Sequence, residues 1–211
     1  MRTNKQISIL LSLNIAGSAG LLIWWCLFPV VLPIGDATNN FQNLILDANW
    51  TALNLLGLVS CMLLCLGLPG IYIAHYKNFK MSGFVGLLLA CTGLVLFTAI
   101  QYYETFIWPA AAEVHPEMLQ AQGVLVSGHT LVVTGLLVSG FILGAGYILF
   151  GIASLRIKMY PVMPIWLLMT GAVVFGNGIL FPVRTIGLLF FSTGIIWISV
   201  RLRRYLQKHS N

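Results

Sequence analysis

Three ionisable side chains of types that could build a polar site, Glu104, His129 and Arg184, fall at one depth when counted along the chain from the nearest basic turn. Glu104 follows Lys80 by 24 positions, Arg184 follows Tyr160 by 24, and His129 precedes Arg156 by 27. At about 1.5 Å per helical residue each stands roughly 36–40 Å from that turn. A carboxylate, an imidazole and a guanidinium on three helices would line an outward-facing polar pocket, because such groups near a membrane turn toward the bundle or a water-filled cavity. The plainer alternative is that each snorkels to the interface and pairs singly with a loop charge. A guanidinium does not shed its proton, so Arg184 calls for a fixed anion: Glu104 first, then Glu113 or Glu117. Asn177, set between Gly176 and Gly178, joins the set, its amide either open to a ligand or bonded to a neighbouring helix. Glu104, His129, Asn177 and Arg184 are thus the candidate ligand-binding residues.

Other pairings carry less chemistry. His115 precedes His129 by 14 positions, the spacing with which one helix ligates two stacked haems, but Pro116 interrupts it and His75 and His209 belong to the opposite end. Whether His129 meets a cofactor is left undetermined by the sequence. Cys61 and Cys65, one helical turn apart beside Met62, offer soft ligands to a thiophilic metal, yet no Cys or Met motif sits at a loop to collect ions. Buried cysteine is a common small apolar filler. Ser127 and His129 stand at i and i+2 and face different sides of a helix, which does not suit a nucleophile and its base. There is no lysine inside an apolar run for a Schiff base, no histidine cluster for a di-iron centre and no Cys-x-x-Cys. The chain reads as non-enzymatic, with no catalytic residue and no metal ligand to name.

The elements that must position these groups are set by composition. With 59% hydrophobic residues, 8% charged and a mean hydropathy of +0.93, the 211 residues are far from a soluble domain, in which about 25% are charged. They form a single transmembrane domain, 1–211. Its helical spans run near Ile7–Pro33, Thr51–His75, Met81–Trp108, Gln122–Leu155, Val162–Phe181 and Thr185–Val200, since roughly 20 apolar residues cross about 30 Å of hydrocarbon. Open backbone cannot sit in lipid, and nothing alternates like a barrel strand. The fold class expected is therefore an all-α integral membrane bundle of six transmembrane helices. The fourth run exceeds one membrane thickness, so its first turns should project outward or bend at Gly123 or Gly128. A tight turn around Pro182, Val183 and Arg184 should join the last two helices.

Charge gives the orientation. Asp36, Asp47, Glu104, Glu113 and Glu117 lie in alternate gaps, while ten of the eleven Lys and Arg lie in the others or at the two ends, Arg184 being the exception. Basic residues stay cytoplasmic, so both termini face the cytoplasm. The net charge of +6 is the sum of these short clusters and implies no nucleic acid. Trp50, Trp108, Tyr102 and Tyr103 at outer ends and Tyr76, Tyr160 and Tyr205 at inner ends agree with interfacial belts. Cys26, Cys61, Cys65 and Cys91 lie in apolar runs, where no disulfide framework is expected. The first apolar run continues past its small residues Ala16–Ala19, as in a retained helix and not a cleaved signal.

Leu66–Phe97 can be laid on Leu143–Phe175, aligning Thr92, Gly93 and Phe97 with Thr170, Gly171 and Phe175 after one gap. Equal topology would make this a parallel repeat of helix hairpins. The stretch GYILFGIASLRIKMYPVMPIWLLMTGAVVFGNGILFP resembles the C-terminal hairpin of uncharacterised bacterial multi-pass membrane proteins. The resemblance covers roughly Leu143–Leu202 and implies a bacterial plasma membrane setting, with no active-site motif to carry over. Gly140 and Gly144 are a small-xxx-small pair, with Gly135 and Ser139 on nearby turns, suited to close packing within the bundle or against another membrane subunit. Pro69 between Gly67 and Gly70 should kink the second helix. The expected function is binding of a partner subunit, a membrane lipid or an apolar small ligand; the alternative is a small transporter or channel with an outward-facing polar site.

Overall fold

A computed structural model describes residues 2–32, 41–120, 123–125, 129–177 and 181–208. Pro33, Asp36, Gln122, Ser127, Gly128, Gly178 and His209, named above, lie outside them, as does the Phe181 side chain. The helices are α1 (Arg2–Val31), α2 (Phe41–Ile45), α3 (Trp50–Ile73), α4 (Met81–Tyr102), α5 (Trp108–Val114), α6 (Thr130–Ile157), α7 (Val162–Asn177) and α8 (Phe181–Lys208), and no strand occurs among the described residues. A π turn, Tyr103–Ile107, welds α4 to α5. Five helical stretches are long and apolar enough to cross a membrane: Asn4–Val31, Trp50–Ile73, Met81–Val114, Thr130–Ile157 and Pro182–Lys208. α7 is apolar but has 16 described residues, about 24 Å of helix.

Consecutive long helices pack against one another, and α8 returns to α1, closing a ring in the order α1, α3, α4, α6, α7, α8. Glycine sets the spacing. A Cβ on Gly93 would lie 2.5 Å from the Leu143 Cα, and one on Gly86 would lie 2.5 Å from the Phe150 backbone nitrogen. Gly171 and Gly187 stand equally close to the backbone at Phe191 and Phe175, and Gly17 and Gly67 to Ser60 and Asn14. In each pair one number rises as the other falls, so neighbours are antiparallel. Helices in lipid gain little from apolar contact alone, and small residues let their backbones approach to van der Waals range. Inside the ring the fillers are large: Tyr147, Phe150, Phe175 and Phe191 are fully buried.

Two helix ends differ from the sequence expectation. The fourth apolar run becomes helical only at Thr130, after a 3-10 turn at Pro116–Leu119 and a tight reversal at Gly123, whose N–H donates to the Gln120 carbonyl. Leu119, in the 3-10 turn that precedes this helix, is completely covered. Pro182, Val183 and Arg184 do not form a turn. They occupy the first turn of α8, where proline's missing N–H costs nothing.

Of the aromatic side chains at the helix ends, Tyr76, Tyr102 and Tyr205 are exposed, whereas Trp50 and Tyr160 are buried within the bundle. Trp50 is 3% exposed, stacks on Trp108 at 6.1 Å between centroids, and donates its Nε1–H to the Glu104 carbonyl at 3.0 Å. At the other end Tyr160 is buried and its hydroxyl donates to the Ile71 carbonyl at 2.8 Å, tying the α6–α7 link to the last turn of α3.

Close backbone approach predicts a contrast between two glycines. Gly93→Val should lower the thermal midpoint in detergent, overpacking of a tight contact costing about 1–3 kcal/mol. Gly135→Ala should leave it unchanged, because a Cβ there meets nothing within 4 Å. Equal midpoints for the two variants would contradict this packing scheme.

Candidate functional site

At the ring end opposite the termini, α4 reaches the π turn, α1 presents Trp24 and Trp25, and α8 begins. A π turn adds one residue per turn and rotates the helix beyond it, and such bulges are frequent at functional sites. Glu104 lies in this turn and does not end its helix, which continues to Val114. Its carboxylate accepts a hydrogen bond from Gln101 Nε2 at 3.0 Å. The Gln101 Oε1 atom is buried with no hydrogen-bond partner. Thr105 donates back to the Gln101 carbonyl at 2.5 Å, taking up a backbone acceptor of the widened turn.

Arg184 points from α8 into the ring. Its guanidinium carbon lies 5.5 Å from the Trp25 ring, 5.6 Å from Phe97 and 5.4 Å from Phe175. Those three contacts are cation–π interactions, worth about 0.5–2 kcal/mol each depending on desolvation. Trp25 itself is fixed by donating Nε1–H to the Thr185 hydroxyl at 2.6 Å. Among the described residues Arg184 makes no hydrogen bond, and its Nε is buried without a partner. The expected ion pair with Glu104 is not formed at contact distance: no nitrogen to oxygen distance between them is 4.0 Å or less. Glu113 and Glu117 do not replace Glu104. Both are exposed, and Glu117 pairs with His115 at 3.1 Å. Its own backbone N–H, with His115 assisting, holds the Glu117 carboxyl below the ordinary carboxylate range.

The other two candidates stand apart. His129 is exposed and caps α6, its Nδ1 accepting the Leu131 N–H at 3.3 Å. Asn177 closes the last described turn of α7 and donates Nδ2–H to the Gly140 carbonyl at 3.3 Å and the Val173 carbonyl at 3.0 Å. That is the interhelical bond of its plainer reading, made where Gly140 and Gly176 bring two backbones together. Gly144 packs on Val173, so this small-xxx-small pair is occupied within the bundle. Cys61 is buried and Cys65 Sγ lies 3.8 Å from the Thr98 hydroxyl; no group of three or more metal-ligating side chains occurs among the described residues.

A groove of about 460 Å³ runs between the C-terminal half of α4 and the N-terminal half of α6, walled by apolar residues such as Leu96, Ile100, Leu131 and Leu136. Glu104 is the charged residue of its lining, with Trp108, Tyr103 and Ser139 nearby. Gly135 lies open beneath it. Glu104 therefore borders the groove while its carboxylate is held by Gln101.

Gln101, Trp24, Trp25 and Thr185 belong to this site and were not among the sequence candidates. Gln101 was recoverable: it stands three residues before Glu104, and side chains at that spacing share a helix face. Nothing in the sequence marks Trp24 and Trp25, which reach the site only because α1 packs on α8. Comparison with protein families, curated proteins and solved structures gives no match.

Mutual dependence of the two charges is testable by a double-mutant cycle. Arg184→Leu should lower thermal stability, and adding Glu104→Gln should recover part of that loss, with a coupling on the order of 0.5–3 kcal/mol. Additive losses would show that the charges do not act on each other.

Proposed function

We propose that this chain is a non-enzymatic, multi-pass protein of the bacterial plasma membrane that binds an apolar ligand or lipid in the groove between α4 and α6. The observation that carries the reading is the groove itself: an apolar wall of about 460 Å³ with one carboxylate, Glu104, at its edge. Ligand sites are mostly apolar with a few placed polar groups that fix orientation, and this lining has that composition. An apolar site between helices is reached from the bilayer, where such ligands concentrate. Open space over Gly135 supports the same reading.

In this reading α7 is the sixth span, and both termini are cytoplasmic. Support comes from the ring, which puts the two termini and the links 74–80 and 158–161 at one end. Lys77, Lys80, Arg156 and Lys158 lie there, while Asp47, Glu104, Glu113 and Glu117 lie at the other. Single cysteines at Lys77 and Arg156 should resist an impermeant thiol reagent added outside cells, and labelling of either from outside would reverse the orientation. A hairpin duplication is part of the proposal too. Phe97 and Phe175, equivalent in the sequence repeat, face each other at 4.9 Å and both border Arg184.

Gly135→Phe should fill the groove without disturbing the fold. The variant should purify with the same elution volume and thermal midpoint as the parent, and with much less co-purifying lipid or apolar ligand by mass spectrometry. Unchanged retention would remove the groove from the proposal.

A second reading, a small transporter with an outward-facing polar site, is favoured by one observation: Arg184 stands inside the ring with its Nε buried and unbonded among the described residues. Solute or ion flux from proteoliposomes, lost in Arg184→Leu, is its signature.

A further inference from the structure

At the end of the bundle that carries the termini, a cleft of about 420 Å³ opens between the start of α4 and the end of α6. Lys80, the residue before the first turn of α4, and Arg156, in the last turn of α6, both line it, with Asn78 and Ser82 as further polar lining. Ile157 and Met159 make part of the wall apolar. No carboxylate lines the cleft, and among the described residues neither cation forms an ion pair. Asp47, Glu104, Glu113 and Glu117 all stand at the opposite end. The two segments are held together by the packing beside them. Phe79, next to Lys80 and buried, stacks on Phe150 of α6 at 5.5 Å between centroids and on Tyr72 of α3 at 5.0 Å.

Retention on one side of a membrane accounts for the presence of Lys and Arg at this end. It does not require cations of two segments far apart in sequence to share one cleft. Like charges over one hollow repel, and an anion seated there relieves the repulsion. An ammonium, a guanidinium, a hydroxyl and a side-chain amide are donors that suit phosphate oxygens. The first turn of α4 starts at the cleft without a side-chain cap, which adds backbone donors to a site that the two cations already define. The cleft lies where two apolar spans, Met81–Val114 and Thr130–Ile157, reach the same end of the bundle. That is the level of lipid headgroups, and basic pockets between helices at this level hold anionic ones. We infer that the cleft binds the phosphate of an anionic phospholipid on Lys80 and Arg156, with the glycerol and first chain carbons against Ile157 and Met159. A zwitterionic head fits less well, because its ammonium would come beside two cations with no carboxylate to receive it. This site shares no residue with the groove that borders Glu104 and stands or falls independently of it.

The purified full chain, stripped of lipid in detergent, provides the test, both as the parent and as Gly135→Phe, in which the groove is filled. Thermal midpoints are measured with added phosphatidylglycerol, with phosphatidylcholine of the same chains, or with inorganic phosphate. The expected result in both proteins is stabilisation by phosphatidylglycerol of at least several degrees beyond that by phosphatidylcholine, and little effect of inorganic phosphate. Lys80→Gln and Arg156→Gln should each remove most of that preference. Arg204→Gln, which changes an exposed cation of the same end outside the cleft, should retain it. Lys80 and Arg156 are also exposed, so these substitutions leave the core intact; should Arg156→Gln fail to fold, Lys80→Gln carries the test alone. Equal stabilisation by the two lipids, or by neither, overturns the assignment. So does an equal loss in Arg204→Gln, the mark of diffuse surface charge, and so does a preference that disappears in Gly135→Phe, which would put the lipid in the groove. A response to inorganic phosphate as large as that to phosphatidylglycerol would overturn the lipid as the source of the phosphate.

Discussion

Backbone contact at glycine is what closes this bundle. Gly17 and Gly67 seat α1 on α3, Gly86, Gly93 and Gly146 seat α4 on α6, Gly140 and Gly176 join α6 to α7, and Gly171, Gly187 and Gly194 join α7 to α8. In hydrocarbon there is no solvent to expel from between apolar side chains, so helix association rests on dispersion at close range and on a few interhelical hydrogen bonds. Each glycine removes the one atom that would hold two backbones apart. The large residues are then displaced to the inside of the ring, where Tyr147, Phe175 and Phe191 fill the space between six walls.

That arrangement explains how a guanidinium can sit inside the end of the bundle opposite the termini. Phe97 from α4, Phe175 from α7 and Trp25 from α1 converge on Arg184 because the ring brings three different helices to one level. Aromatic faces carry negative potential and partly offset the loss of water around a cation. They do not supply hydrogen-bond acceptors. The guanidinium is thereby held by ring faces, and among the described residues its Nε makes no hydrogen bond.

The π turn performs the complementary task on α4. Without the extra residue of Tyr103–Ile107, the helix would continue in register and Glu104 would keep a fixed angle to Gln101 and Trp108. The widened turn carries Glu104 to a position where it receives the Gln101 amide and also borders the groove toward α6. Trp50 secures this geometry through its bond to the Glu104 carbonyl, one that the π turn leaves available. The end opposite the termini is thus built from a local helix irregularity, an aromatic cluster and a buried charge on three separate segments.

The sequence determined the class and the coarse segmentation. Helices near Ile7, Thr51, Met81, Val162 and Thr185 follow from hydrophobic runs and from the need of every backbone amide in lipid to find its partner within a helix. The segregation of Lys and Arg from Asp and Glu along the chain was equally legible, and so was Arg184 as the exception. Helix starts at Thr130 and Phe181 were not legible, because apolar content alone does not distinguish a helical turn from a covered loop such as that around Leu119. Depth counting brought Glu104 and Arg184 to one level, but it placed His129 there as well, where it serves as a helix cap, and Asn177, singled out by its flanking glycines, makes an interhelical bond. Counting residues gives height along a helix and says nothing of rotation or of which helix is next to which. Only the tertiary structure decided those: the closing of α8 on α1 delivered Trp24 and Trp25, the π turn rotated Glu104, and the glycine contacts fixed which helix backbones meet.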